Sequence, residues 1–289
     1  MENIINYTNY KIEKDYQNVY YFLKENNFSE NFITNLRKKE GYILINNHIA
    51  NTKSKLTTGD ILSICNNPNS KTTIMQCIIP LDVVFEDEYY LLINKPSGLS
   101  TMPNKSHYSN NLAGAICHYM KEKDSNFVLR IINRLDKDTS GLVLVAKNSI
   151  AQKDLKELDK TYFAICEGII NKNLTINKPI LTINTNNINQ HKRIIDKDGK
   201  PATTFVTPIK HNDKLSLISL KLIYGRTHQI RLHLSSINHP LLGDCLYGKP
   251  SNLISHTALV CKEISFYHPY LKRKLHFTVP LPEDLKKCF

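Results

Sequence analysis

One stretch of this 289-residue chain constrains its fold more than any other. It runs Ile132-Asn133-Arg134-Leu135-Asp136-Lys137-Asp138-Thr139-Ser140-Gly141 and passes at once into Leu142-Val143-Leu144-Val145-Ala146. The first part is a turn of small and polar residues, and the second reads as a buried strand. Asp136 is thereby presented at the mouth of a buried strand, where a reactive group is both rigid and reachable. Taken alone, it reads equally well as a turn former, since Asp and Ser bond nearby backbone groups.

The chain is 41% hydrophobic and 22% charged, an ordinary globular composition with material for a sizeable core. Its formal net charge of +12 favours a polyanionic partner, most simply nucleic acid. The seven cysteines are scattered and form no Cys-x-x-Cys, so neither a disulfide framework nor a zinc knuckle is expected. Free thiols fit a reducing cytosol, and a cytoplasmic location follows. The first residues, Met1-Glu2-Asn3-Ile4-Ile5, lack the basic-then-apolar pattern of a signal peptide. No apolar run is long enough to span a bilayer, so no membrane partner is expected.

The polar, Pro-containing stretch Asn66–Thr72 marks a boundary. We divide the chain into a small module over residues 1–68, a linker over 69–78 and a large domain over 79–289. In the small module, Val19, Phe22 and Leu23 have helical spacing. Ser29 is placed to cap a second helix, with Arg37-Lys38-Lys39 in its last turn and Gly41 as its stop. Strands follow through Tyr42–Ile45, His48–Ala50 and Ile61–Ile64, with a turn at Asn46-Asn47. In the large domain, strands are expected at Val83–Phe85, Tyr89–Ile93, Gly141–Lys147, Tyr162–Glu167, Ala202–Pro208, Leu215–Tyr224 and Ser265–Phe277, the last interrupted at His268-Pro269. Leu112, Ile116, Tyr119 and Met120 share one face of a helix over about 112–123. The Asn-rich stretch Asn184–Asn189 reads as a hairpin tip. The alternation is not βαβ, so the fold class is α+β: a mixed, largely antiparallel sheet with flanking helices, preceded by the small α+β module.

Three motifs carry the chemistry. The first is Arg134-Leu135-Asp136-Lys137-Asp138-Thr139-Ser140-Gly141. The second is Lys160-Thr161-Tyr162-Phe163-Ala164, and the third is Gly225-Arg226-Thr227-His228-Gln229-Ile230-Arg231. Polar residues this dense beside apolar ones are costly if buried unpaired, and make sense lining a polar cleft. In this order the motifs resemble those of the RluA-like RNA pseudouridine synthases. Gly199-Lys200-Pro201-Ala202-Thr203-Thr204, His239-Pro240-Leu241-Leu242-Gly243-Asp244 and Val279-Pro280-Leu281-Pro282 extend the resemblance over nearly the whole chain. The first module resembles the small αL RNA-binding domain, on the Gly41-Tyr42-Ile43-Leu44-Ile45-Asn46 turn and Gly59-Asp60.

The resemblance implies an enzyme that isomerises uridine to pseudouridine in RNA, ribosomal RNA of the large subunit first and transfer RNA second. No cofactor or metal is implied, and a monomer is the default expectation. Asp136 takes the place of the catalytic aspartate, as nucleophile or as base on the ribose side; the sequence leaves both open. Tyr162 takes that of the aromatic against the flipped base. Arg231 takes that of the ion-pair partner that keeps Asp136 ionised and aimed. Arg134, Thr139, Arg226, Thr227, His228, Gln229 and Lys95 are placed as substrate or RNA contacts. Some positions depart from the family pattern. Asn133 stands for a common His, Val260-Cys261 for a common His-Ala, and the Asn148–Lys160 connector is short. The alternative class is a non-catalytic RNA-binding assembly factor on the same scaffold, which would not need Asp136, Tyr162 and Arg231 together.

Overall fold

The computed structural model describes residues 7–65, 74–103, 109–124, 127–184 and 191–289. The boundary at Asn66–Thr72 and all but the first residue of the hairpin tip at Asn184–Asn189 lie outside them.

The small module consists of β1 (Tyr7–Lys11), α1 (Val19–Glu25), α2 (Glu30–Leu36), β2 (Ile43–Ile45), β3 (His48–Ala50) and β4 (Ile61–Cys65). Its antiparallel sheet has the order β1-β4-β2-β3. Val19, Phe22 and Leu23 face its core as their spacing requires, with Ile33, Leu36, Ile43, Leu62 and Ile64. The Ser29 side chain accepts from the Phe32 amide and caps α2. The helix ends at Leu36, however, one residue before its expected basic turn. Arg37 is the C-cap and swings back to donate to the Thr52 hydroxyl at 3.1 Å. Asn46 and Asn47 both adopt positive φ (51° and 66°), which asparagine tolerates better than most residues. Strand β1 was not anticipated, because Tyr-Thr-Asn-Tyr-Lys carries little apolar signal and is recruited by pairing along β4.

The large domain contains β5 (Val83–Glu86), β6 (Tyr90–Lys95), α3 (Leu112–Lys121), β7 (Arg130–Ile131), β8 (Ser140–Ala146), α4 (Ser149–Asp154), β9 (Asp159–Glu167), β10 (Leu174–Asn177), β11 (Ile180–Asn184), β12 (His191–Ile195), β13 (Thr203–His211), β14 (Leu215–Ile223), α5 (Gln229–Ser235), β15 (Leu259–His268), β16 (Arg273–Thr278) and α6 (Glu283–Lys286). One sheet runs β10-β13-β14-β9-β15-β8-β6-β5, with β16 added on β15 and β7 on β8. Strands β11 and β12 form a separate hairpin. The α+β, largely antiparallel expectation holds. The short connector leaves α4 only six residues, and Ile150 on it packs into the small module's core.

Strand β8 is buried at every position, as its unbroken apolar run demands. It pairs antiparallel with β6 and parallel with β15, through Val260↔Ser140 and Cys261↔Gly141. That parallel junction joins the two halves of the sheet and requires Gly141. Its φ is +105°, and a Cβ there would lie 2.3 Å from the Cys261 carbonyl oxygen. The register then sets Gly141, Cys261 and Tyr162 side by side across three strands. Among the described residues no helix is long and apolar enough to cross a membrane.

Gly141→Ala combines a forbidden φ with a backbone clash, so it is expected to cost about 3 kcal/mol or more. Urea unfolding checks this; a loss below about 0.5 kcal/mol would mean that β15 and β8 separate easily.

Candidate active site

Asp136 sits in the turn between β7 and β8, and that turn is braced from four directions. Asn133 donates from Nδ2 to the Leu142 carbonyl at 3.0 Å and accepts the Leu144 amide at 2.8 Å, pinning the approach to β8. The Thr101 hydroxyl donates to the Leu135 carbonyl at 2.6 Å. Ser97 Oγ donates to the Asp138 carbonyl at 2.8 Å. The fourth brace is Lys95. Its ammonium reaches the carbonyls of Pro96, Leu99 and Lys137 at 2.9, 2.7 and 3.0 Å. Lys95 is 0% exposed, so it holds the aspartate turn from behind. Where the sequence suggested a substrate contact, the structure puts its three donors on backbone carbonyls and leaves Lys95 out of the cavity lining. Burial pushes its pKa down to about 7, against the pull of Asp138 and Asp136.

The Asp136 carboxylate faces the start of α5. Arg231 Nη1 lies 3.6 Å from its Oδ2 and His228 Nε2 lies 3.9 Å away. These are charge-neighbour distances, longer than hydrogen bonds. The bonded partner of Arg231 is instead Asp244. Nε and Nη2 reach its two carboxylate oxygens at 2.8 Å each, the bidentate fork arrangement. Asp244 is fully buried and also accepts the amides of Leu246 and Tyr247. Burial alone would raise its pKa; the Arg231 bonds and charge, with those two amides, hold it below the ordinary carboxylate range. The expected Arg231–Asp136 pair is therefore one arm of a three-residue array. Asp244 fixes the guanidinium, and the remaining Nη1 points at Asp136.

His228 adopts a left-handed conformation (φ 58°), next to Gly225 and Tyr224, which also have positive φ. Non-glycine residues held this way cluster where the surrounding structure over-determines them. Its Nδ1 is 3.0 Å from the Tyr247 hydroxyl. Burial holds its pKa below the usual value, and the Arg231 and Arg193 charges add to this while Asp136 opposes it. Burial and the two arginines thus favour the neutral imidazole. Gln229 is buried and spent on scaffold bonds. Its Nε2 donates to the Thr203 carbonyl at 2.9 Å, and its Oε1 accepts the Arg226 amide at 2.8 Å. These bonds, with one to the Ile223 carbonyl at 3.3 Å, fasten α5 to the ends of β13 and β14, and Gln229 lines the cavity beside its neighbours His228 and Arg231.

A cavity of about 400 Å³ opens over these groups, within the usual size of a small-ligand pocket. Asp136, Tyr162 and Arg231 line it together with Arg134, Thr139, Arg226, Thr227 and His228. Three motifs spread over about a hundred residues of sequence thus converge on one space. Tyr162 is 6% exposed and neighbours Cys261 in the sheet register. Burial pushes the Cys261 thiol up to about 12, so this departure from the family pattern puts an inert, neutral group beside the tyrosine. Sequence reasoning missed the roles of Asp244 and Tyr247. A usable signal existed for the first: a carboxylate following Pro240-Leu241-Leu242-Gly243 is headed for the interior, and a buried carboxylate needs a cation.

The family described as RNA pseudouridylate synthase matches residues 89–236. An RNA pseudouridine synthase of Bacillus subtilis, YjbO, called uncharacterized, is 33% identical over 90% of this chain and 93% of its own length. Ribosomal large subunit pseudouridine synthase D of Zymomonas mobilis is 35% identical over 73% of this chain and 72% of its own. The fold is that of human RNA Pseudouridylate Synthase Domain Containing 1, with a TM-score of 0.57 and 22% identity over 76% of this chain and 90% of that one. The chain belongs to the RNA pseudouridine synthase family. It is an isomerase whose substrate is RNA.

Because the folded-state pKa of Asp244 lies below its unfolded value, the stability it contributes is present above about pH 4 and is lost as pH falls through the depressed value. Asp244→Asn should cost about 3 kcal/mol at pH 7, with the gap to wild type narrowing below about pH 4. Urea midpoints across pH 3–7 test this, and a gap constant with pH would mean that the carboxylate charge is irrelevant.

Proposed function

We propose that this protein converts a specific uridine of large-subunit ribosomal RNA to pseudouridine, with Asp136 as the catalytic carboxylate. The observation that carries the reading is Asp136 itself. It is an acid on a four-way braced turn, 27% exposed to a base-sized cavity, with a fixed guanidinium 3.6 Å away. The name of the Zymomonas relative supports the choice of ribosomal RNA over transfer RNA. The +12 net charge supports a polyanionic substrate.

The target base lies inside a folded RNA, so it must leave its stack to reach a cavity of this size. Tyr162 and the aliphatic walls Leu222 and Leu259 receive its apolar faces. The bond from ribose C1′ to uracil N1 then breaks, the base turns, and C5 joins C1′. The proton lost from C5 is matched by one gained at N1, so nothing is added overall. Asp136 assists at the sugar, either by attacking C1′ or by taking a proton on the ribose side. The Arg231 charge favours the ionised carboxylate in both routes and, being held by Asp244, needs no rearrangement during the reaction. Arg134, Thr227 and Arg226 at the rim receive sugar and phosphate oxygens. The small module, with Arg37, Lys38 and Lys39 beyond α2, adds a second RNA contact.

The test is pseudouridine mapping of total RNA from cells lacking the gene, complemented with wild-type or Asp136→Asn protein. One or more ribosomal uridines should be modified only with wild type, while Asp136→Asn retains RNA binding within about threefold and loses product by at least ~10³-fold. Turnover by Asp136→Asn would remove Asp136 from the reaction. Retained RNA binding with no site dependent on Asp136 would favour a non-catalytic assembly factor.

A further inference from the structure

A second cavity, of about 510 Å³, adjoins the first and shares Gly225, Arg226 and Thr227 with it as a common wall. Its other side is built by the β11–β12 hairpin and the loop after it. Thr182 and Arg193 stand opposite each other in the hairpin register, and Asp198 and Lys200 follow. Three cations, Arg193, Lys200 and Arg226, thus surround one space against a single carboxylate, Asp198.

This wall is built rather than incidental. Ile180 is buried against Ala202 and against Leu232 of α5, the helix that carries Arg231. Ile180 and Lys200 exchange both backbone hydrogen bonds, each at 2.9 Å, so Lys200 has a fixed position beside the hairpin. Gly199 allows that approach, since a Cβ there would lie 2.5 Å from the Ile180 carbonyl carbon. Arg226 is oriented by its Nε bond to the Pro201 carbonyl at 3.2 Å and by the face of Tyr224. The charge of Arg193 also reaches the first cavity, where it adds to the effect of burial on His228.

A nucleotide swung out about its backbone carries its own phosphates to the lip of the pocket that takes its base. We infer that the second cavity binds a phosphodiester flanking the target uridine, with Arg193 and Lys200 facing Arg226 across it. The inference rests on the reading of the first cavity as the uridine site. It assigns to the hairpin the task of fixing the strand, with no part in reading base identity.

The test uses the full chain and an unmodified transcript of large-subunit ribosomal RNA. In an Asp136→Asn background, Arg193→Gln with Lys200→Gln should weaken binding ~10-fold. It should also make the plot of log affinity against log salt shallower by about 0.7 for each cation removed. Arg193→Lys, which keeps the charge, should preserve most of the slope. With Asp136 intact, the same pair of substitutions should raise the half-saturating RNA concentration ~10-fold and lower the saturating rate less than about threefold. An unchanged salt slope would overturn the proposal. So would a loss confined to the saturating rate, which would mean that Arg193 acts through His228. If wild type converts no uridine in the transcript, the reading of the first cavity fails by itself, while the salt slope still decides the second.

Discussion

The buried pair between Arg231 and Asp244 is the interaction around which the site is organised. A buried arginine, 8% exposed, needs a carboxylate partner, and the bidentate geometry at 2.8 Å supplies one. With two of its nitrogens held there, Arg231 has only Nη1 left to present to the cavity. That remaining edge defines where a second carboxylate is welcome, and Asp136 occupies the place at 3.6 Å. The same pair couples the chain segments on either side of it. Through Asp244 the loop ending at Tyr247 is tied to α5, and Tyr247 in turn holds the His228 ring.

The sheet provides the second constraint. The parallel contact between β8 and β15 puts Asp136, at the entrance of β8, within two strands of Tyr162 on β9. Without a side chain at residue 141 the strands can approach, and the row from Gly141 through Cys261 to Tyr162 forms. Rigidity behind the aspartate comes from ordinary hydrogen bonds made by Asn133, Thr101, Ser97 and Lys95, none of which needs contact with substrate. Asn133 departs from the family pattern yet fills both of its bonds to β8, which explains why an amide suffices there.

The residues that repeat with a clear period were legible in advance. Val19, Phe22 and Leu23 lie on a helix face, Leu142 to Ala146 form a fully buried strand, and Ser29 caps its helix. The three motifs were legible as a constellation, and they do converge on one cavity. What sequence could not supply was the direction of individual polar groups. Lys95 and Gln229 were read as substrate contacts and Arg231 as the partner of Asp136. Lys95 turns inward to backbone carbonyls, Gln229 spends its amide on backbone groups while still lining the cavity, and Arg231 divides its donors between two carboxylates. That choice depends on which unpaired groups the fold buries nearby, a tertiary fact absent from spacing. Strand β1 was missed for a related reason, since its pairing with β4 decides its state more than its own polar sequence does.

Asp244 is expected to act on the reaction only through Arg231. A double-mutant cycle of Asp244→Asn and Arg231→Lys, read as single-turnover conversion of an unmodified target RNA at saturation, decides this. Strong non-additivity is expected: each single change lowers the rate by at least ~100-fold, and the double variant is scarcely slower than either. Additive losses would contradict it, because Asp244 and Arg231 would then serve the reaction independently.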